Sequence, residues 1–129
     1  MPVLRILLVE DEVALLALLK RHLERSGHTV VVALSAELAL DALESDDWRP
    51  NLLIADETLP GMNGAALAAF LLARFPELMS LLSSGFPLSL EALPAAVRSR
   101  AAILQKPFMP AMLDRAIAAL VASNPGSGA

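Results

Sequence analysis

With 129 residues, 56% of them hydrophobic and 19% charged, the chain is long enough to bury one core and too apolar to stay disordered. Its 14 acids and 10 scattered bases leave a net charge of -4, which argues against direct nucleic-acid binding. The absence of cysteine excludes disulfides, thiolate catalysis and cysteine-ligated metals, and suits a reducing compartment such as the cytoplasm.

Apolar runs such as Ala65 to Ala73 fall far short of the roughly 18 residues of a membrane span. Met1-Pro2-Val3-Leu4-Arg5 shows no small-residue cleavage site, so neither a membrane partner nor a signal peptide is expected. Val3 to Val9 is nearly all apolar and ends in acids, the pattern of a strand buried on both faces. Val13, Leu16, Leu19 and Leu23 recur at helical spacing opposite Lys20, Arg21, Glu24 and Arg25, with Gly27 as the stop. Thr29-Val30-Val31-Val32 reads as a second strand, and Ser35 as the N-cap of a helix reaching about Ser45.

Asp46 to Pro50 turns, and Leu52-Leu53-Ile54-Ala55 forms a third strand ending at Asp56. Pro60, Gly61, Asn63 and Gly64 then mark an irregular loop. Ala65 to Phe75 reads as a helix stopped by Pro76, Leu78 to Leu82 as a fourth strand, and Ser84-Gly85-Phe86-Pro87 as a loop. Ser89 is placed to cap a weak helix through about Arg98 that Pro94 distorts. Ala101 to Leu104 is a fifth strand, and Pro110 opens a last helix to about Ala122. The expected organisation is one domain over residues 1–123 and a flexible tail over 124–129, rich in Gly and Ser.

Five strands alternating with five helices predict an α/β fold, a doubly wound parallel sheet with right-handed crossovers. In such a sheet all strand C-termini share one edge, which would bring together Glu10, Asp11, Asp56, Ser84 and Lys106. Taken singly these residues have bland readings. Acids in a first helical turn favour the macrodipole, Asp56 suits a turn, and Lys106 before a proline suits solvent. Four such positions at successive strand ends weigh against coincidence. Carboxylates from two strand ends, a hydroxyl and an ammonium are the groups needed to hold a hard divalent cation and a phosphoryl group.

The ordered set Glu10-Asp11, Asp56 with Leu59-Pro60-Gly61-Met62-Asn63-Gly64, Ser84-Gly85 and Lys106-Pro107-Phe108 resembles the receiver domains of two-component response regulators. The resemblance runs from Val3 to about Ala122 and implies a flavodoxin-like (βα)5 fold with strand order 2-1-3-4-5. It implies that Asp56 accepts a phosphoryl group from a phosphohistidine on a histidine kinase or histidine phosphotransfer protein, and that the acyl phosphate hydrolyses slowly. Glu10, Asp11, Asp56 and the backbone carbonyl of Thr58 would ligate Mg²⁺ (or Mn²⁺). Ser84, 22 residues before Lys106, stands where the family keeps a Ser or Thr that hydrogen-bonds the phosphoryl group, with Ser83 as the second candidate. Phosphorylation is then expected to switch a protein-interaction surface around helix four, strand five and helix five, changing partner binding or homodimerisation.

Glu57 stands where the family usually has an apolar residue, and its charge is either exposed or part of the site. Ile103 occupies the place of an aromatic that turns inward on activation, so signalling is expected to use loop and helix-four movement instead. His22, on the polar side of the first helix, and His28, before the second strand, read as solvated or structural residues, leaving the donor histidine to another protein. Trp48, Met62, Met79, Met109 and Met112 read as packing residues. No output segment follows the last helix, so a stand-alone regulator or a piece of a larger protein is expected; Pro60-Gly61-Met62-Asn63-Gly64 is similar to receivers of hybrid histidine kinases. Two rivals compete with this reading. One is an interaction module of the same fold that takes no phosphate. The other is a hydrolase of the haloacid dehalogenase type, whose second Asp two residues after the nucleophile is Thr58 here.

Overall fold

The computed structural model describes residues 2–45 and 47–125. Strand β1 (Arg5–Val9) buries four successive apolar residues behind one exposed arginine. Helix α1 (Val13–Arg25) buries Leu16, Leu19 and Leu23, the apolar stripe of its 3.6-residue period. Strand β2 (Thr29–Ala33) leads to helix α2 (Ala36–Ala42), whose first turn is capped by Ser35 accepting the Leu38 N–H at 3.1 Å. This helix stops three residues before the expected Ser45, because Leu43 and Glu44 donate to the carbonyls of Leu40 and Asp41 and tighten the last turn.

Strand β3 (Leu52–Asp56) is buried throughout, and helix α3 (Gly64–Arg74) follows its loop. Strand β4 (Met79–Ser84) extends two residues beyond the expected Leu82, since Ser83 and Ser84 stay in register with Leu104 and Gln105. The expected helix from Ser89 is broken. A single 3₁₀ turn at Leu90–Ala92 precedes extended Leu93, and helix α4 is only Ala95–Arg98. Proline at 94 holds Leu93 in the extended region and lacks an N–H to continue a ladder. Ser89 makes no side-chain cap. Strand β5 (Ala101–Gln105) and helix α5 (Pro110–Ser123) complete the chain.

The strands form one parallel sheet ordered β2-β1-β3-β4-β5, the doubly wound α/β arrangement expected. Alternation along the strands divides the core in two. Leu7, Val9, Leu53, Ala55 and Leu82 face Ala39, Leu67, Leu71 and Val97 of α2, α3 and α4. Ile6, Leu8, Ile54 and Leu81 face Leu16, Leu23, Leu113 and Ile117 of α1 and α5. Each leucine buried in this way contributes about 2 kcal/mol, so the two layers hold the helices against the sheet.

Trp48 and Met62 pack against the first layer and Met79 lies in the second, as expected. Met109 is 67% exposed and Met112 is 37% exposed, so neither fills a core gap; both lie at the open start of α5. Asn124 is buried, and its side-chain amide donates to the Leu120 carbonyl at 2.9 Å, closing α5 where the tail was expected to begin. The rest of that tail, beyond Pro125, lies outside the described residues, as does Asp46 of the expected turn. Among the described residues no helix is long and apolar enough to cross a membrane.

Candidate functional site

Glu10 leaves β1 still tied to the sheet, its N–H donating to the Ala33 carbonyl at 3.1 Å. That tie directs its carboxylate inward, where it is 2% exposed. One oxygen of Glu10 accepts the Glu12 N–H at 3.1 Å, and the other accepts Lys106 Nζ at 2.9 Å. Asp56 ends β3 opposite Ser83 and is also buried. Lys106, just past β5, reaches both acids, with Nζ 3.3 Å from Asp56 Oδ2. Asp11 is exposed at the rim. One carboxylate oxygen from each of Glu10, Asp11 and Asp56 lies within 4.8 Å of the others.

Three carboxylates face one ammonium, so the cluster carries uncompensated negative charge. Burial raises the Glu10 carboxyl above its ordinary value, and the hydrogen bond from Lys106 offsets only part of that rise. For Lys106 burial pulls downward, but the hydrogen bond and charge of Glu10, aided by Asp56, outweigh it and leave the ammonium raised. An oxygen-only donor set, buried at two members and open to solvent at the third, suits a hard cation that keeps part of its water shell.

Ser84 is fully buried at the end of β4. Its hydroxyl donates to the Phe86 carbonyl at 2.6 Å and accepts the Phe86 N–H at 3.2 Å. Its own carbonyl accepts the Lys106 N–H at 2.7 Å, which joins the ends of β4 and β5. Ser83, on the opposite side of the strand by alternation, accepts the Glu57 N–H through its carbonyl at 2.8 Å. A cavity of about 450 Å³ opens beside Lys106, lined by Glu12, Leu15, Gly85, Pro107 and Phe108 as well.

The β3–α3 connection needs glycine at two points, once within the loop of residues 57–63 and once at the first residue of α3. Gly61 has a φ of +75°, a conformation that side chains strain to adopt. At Gly64 an added Cβ would meet the Asp56 carbonyl oxygen at 2.7 Å. The backbone of α3 thus lies directly against the residue that carries the central carboxylate.

Several contacts carry no signal in the sequence itself. The Glu57 carboxylate turns onto α3, where it accepts the Ala65 N–H at 2.7 Å. His22 Nε2 lies 2.8 Å from Asp114 Oδ1, joining α1 to α5 across 92 residues that carry no pairing signal. His28 is buried, with Nδ1 accepting the Leu4 N–H at 3.1 Å. Ile103 lies beside Leu82 and is partly buried against the α2–α4 layer.

The sequence profile of the family described as response regulator receiver domain matches residues 6–118. The response regulator protein FleR of Pseudomonas aeruginosa is 36% identical over 124 residues, an alignment covering 95% of this chain and 26% of that protein. The sensory/regulatory protein RpfC of Xanthomonas campestris pv. campestris is 32% identical over 132 residues, covering 94% of this chain and 17% of that protein. The chain therefore spans about a quarter or less of the length of these curated relatives. Among solved structures, a CheY-like response regulator receiver domain protein from Methanospirillum hungatei superposes with a TM-score of 0.75 at 30% identity, covering 94% of this chain and 96% of that one. With the profile match across most of its length, this chain belongs to the receiver domain family of two-component response regulators.

Proposed function

We propose that the chain is the phosphoacceptor switch of a two-component phosphorelay, with Asp56 taking a phosphoryl group from a phosphohistidine on a histidine kinase or histidine phosphotransfer protein. The observation that carries this reading is Asp56 itself, held within 4.8 Å of Glu10 and Asp11 and 3.3 Å from Lys106 at the open edge of the sheet. Glu10, Asp11, Asp56 and the Thr58 carbonyl are the groups that would hold Mg²⁺ or Mn²⁺. When bound there, the ion offsets negative charge on the phosphoryl oxygens.

One Asp56 carboxylate oxygen attacks phosphorus in line while the P–N bond to the donor imidazole breaks. The electron pair stays on the imidazole nitrogen, and an acyl phosphate forms on Asp56. Lys106 supplies a preplaced positive charge 3.3 Å from the acceptor carboxylate. Water later attacks the acyl phosphate slowly and restores the carboxylate.

The readout rests on a count of protons. A serine hydroxyl has one O–H to donate, and that of Ser84 is given to the Phe86 carbonyl. Donating to a phosphoryl oxygen requires giving that bond up, which frees the start of the β4–α4 segment. The surface of α4, β5 and α5 then changes, altering partner binding or homodimerisation; sedimentation velocity with and without phosphoryl reads the latter.

Incubation with acetyl phosphate and Mg²⁺ followed by intact-mass measurement tests the reading. Wild type is expected to gain one phosphoryl group, whereas Asp56→Asn and chelator-treated wild type gain none. No gain in wild type overturns the proposal and favours an interaction module that takes no phosphate.

A further inference from the structure

We propose that Glu57 is a positioning residue that fixes the phosphoacceptor loop against α3; this rests on the phosphoacceptor reading above. The residue is held from three directions. Its N–H donates to the Ser83 carbonyl at 2.8 Å, which prolongs the β3–β4 ladder one step past Asp56. Its carbonyl accepts the Gly64 N–H at 3.2 Å. Its carboxylate accepts the Ala65 N–H at 2.7 Å.

The two bonds to α3 close the segment from Glu57 to Gly64 into a ring whose ends are fixed by the sheet and the helix. Thr58, whose carbonyl is the remaining proposed metal ligand, lies inside that ring. The Thr58 N–H points back to Asp56 Oδ1 at 3.4 Å. Gly64 approaches so closely that no Cβ fits between it and the Asp56 carbonyl, so the ring is packed directly against the residue that carries the acceptor carboxylate.

The direction of the carboxylate also resolves its charge. Beside three clustered acids a fourth negative group would oppose an incoming phosphoryl, but Glu57 faces the N-terminal N–H groups of α3, where a negative charge is favoured. Asn63 provides an internal control. It caps the same helix end, accepting the Ala66 N–H at 2.8 Å, without a side-chain bond to the residues around Asp56.

The experiment compares Glu57→Leu, Glu57→Gln and Asn63→Ala for thermal midpoint, Mg²⁺ affinity by calorimetric titration, and rate of phosphoryl incorporation from acetyl phosphate. Glu57→Leu is expected to weaken Mg²⁺ binding about tenfold and to slow incorporation by about tenfold or more. Glu57→Gln, which keeps an acceptor for the Ala65 N–H, restores both to within about twofold. Asn63→Ala lowers the midpoint as Glu57→Leu does, yet leaves Mg²⁺ affinity and incorporation at wild-type values. Equal effects of Glu57→Leu and Asn63→Ala on Mg²⁺ affinity, or wild-type affinity in Glu57→Leu, overturn the proposal while leaving the phosphoacceptor reading intact. A wild-type chain that neither binds Mg²⁺ nor gains phosphoryl mass overturns both.

Discussion

The β3–α3 connection is closed on itself by the bonds of Glu57 to α3 and the close approach of Gly64 to Asp56. On the same edge of the sheet, the start of the β4–α4 connection is held by the Ser84 hydroxyl, and residues 85–92 beyond it are exposed or half-buried. The contrast separates two tasks. Phosphoryl transfer needs an acceptor in fixed geometry, whereas a readout needs a segment whose few bonds can be exchanged. Lys106 stands where the two meet, paired with Glu10 and Asp56 through its side chain and with Ser84 through its backbone.

The largest effect is expected at that meeting point. Lys106→Ala removes the ammonium paired with Glu10 and Asp56, and phosphoryl incorporation should fall about a hundredfold, with a far-ultraviolet circular dichroism spectrum that still reports the fold. Partner affinity should also cease to depend on phosphorylation; a normal phosphate response in the mutant would refute the role given to Lys106.

Next is the closed side. Gly64→Val forces a branched side chain against the Asp56 carbonyl and should cost about 1–3 kcal/mol in denaturant unfolding. A midpoint equal to wild type would mean that the contact relaxes freely.

The exchangeable side should respond differently. Ser84→Ala retains Asp56 and should still take phosphoryl, but the Phe86 amide loses its acceptor and should exchange hydrogen about tenfold faster with or without phosphate. In wild type the same acceleration should appear only after phosphorylation. Phosphate-dependent exchange at Phe86 in Ser84→Ala would break the proposed coupling.

The smallest effect lies near the opposite edge of the sheet, at His28. Burial holds its imidazole below the ordinary value of 6.5, so the folded state favours the neutral ring. Stability from this group is complete above that value and is lost as pH falls below it toward the folded-state pKa. The urea midpoint should therefore drop between about pH 7 and about pH 5, and drop less in His28→Gln.

Much of this was readable in the residues alone. Alternating apolar runs and helical stripes predicted all five strands and their order of appearance, and the acids at strand ends indicated the edge where Glu10, Asp11 and Asp56 meet. What could not be read depended on contacts distant in sequence or on backbone competition. Ser83 and Ser84 look like loop residues until β5 pairs with them, and Pro94 reduces a predicted helix to a 3₁₀ turn and a four-residue helix. The direction of Glu57 was undetermined because its partner, Ala65, is fixed only by how α3 returns to the sheet. His22 and Asp114 pair only because α1 and α5 share a face.

The central claim is that Asp56 carries the phosphoryl group. Borohydride reduction of the chain after treatment with acetyl phosphate and Mg²⁺, followed by peptide sequencing, tests it most directly, because an aspartyl phosphate is reduced to homoserine. Homoserine at position 56 alone is the predicted result; its absence there, or its appearance at Asp11 instead, would contradict the account.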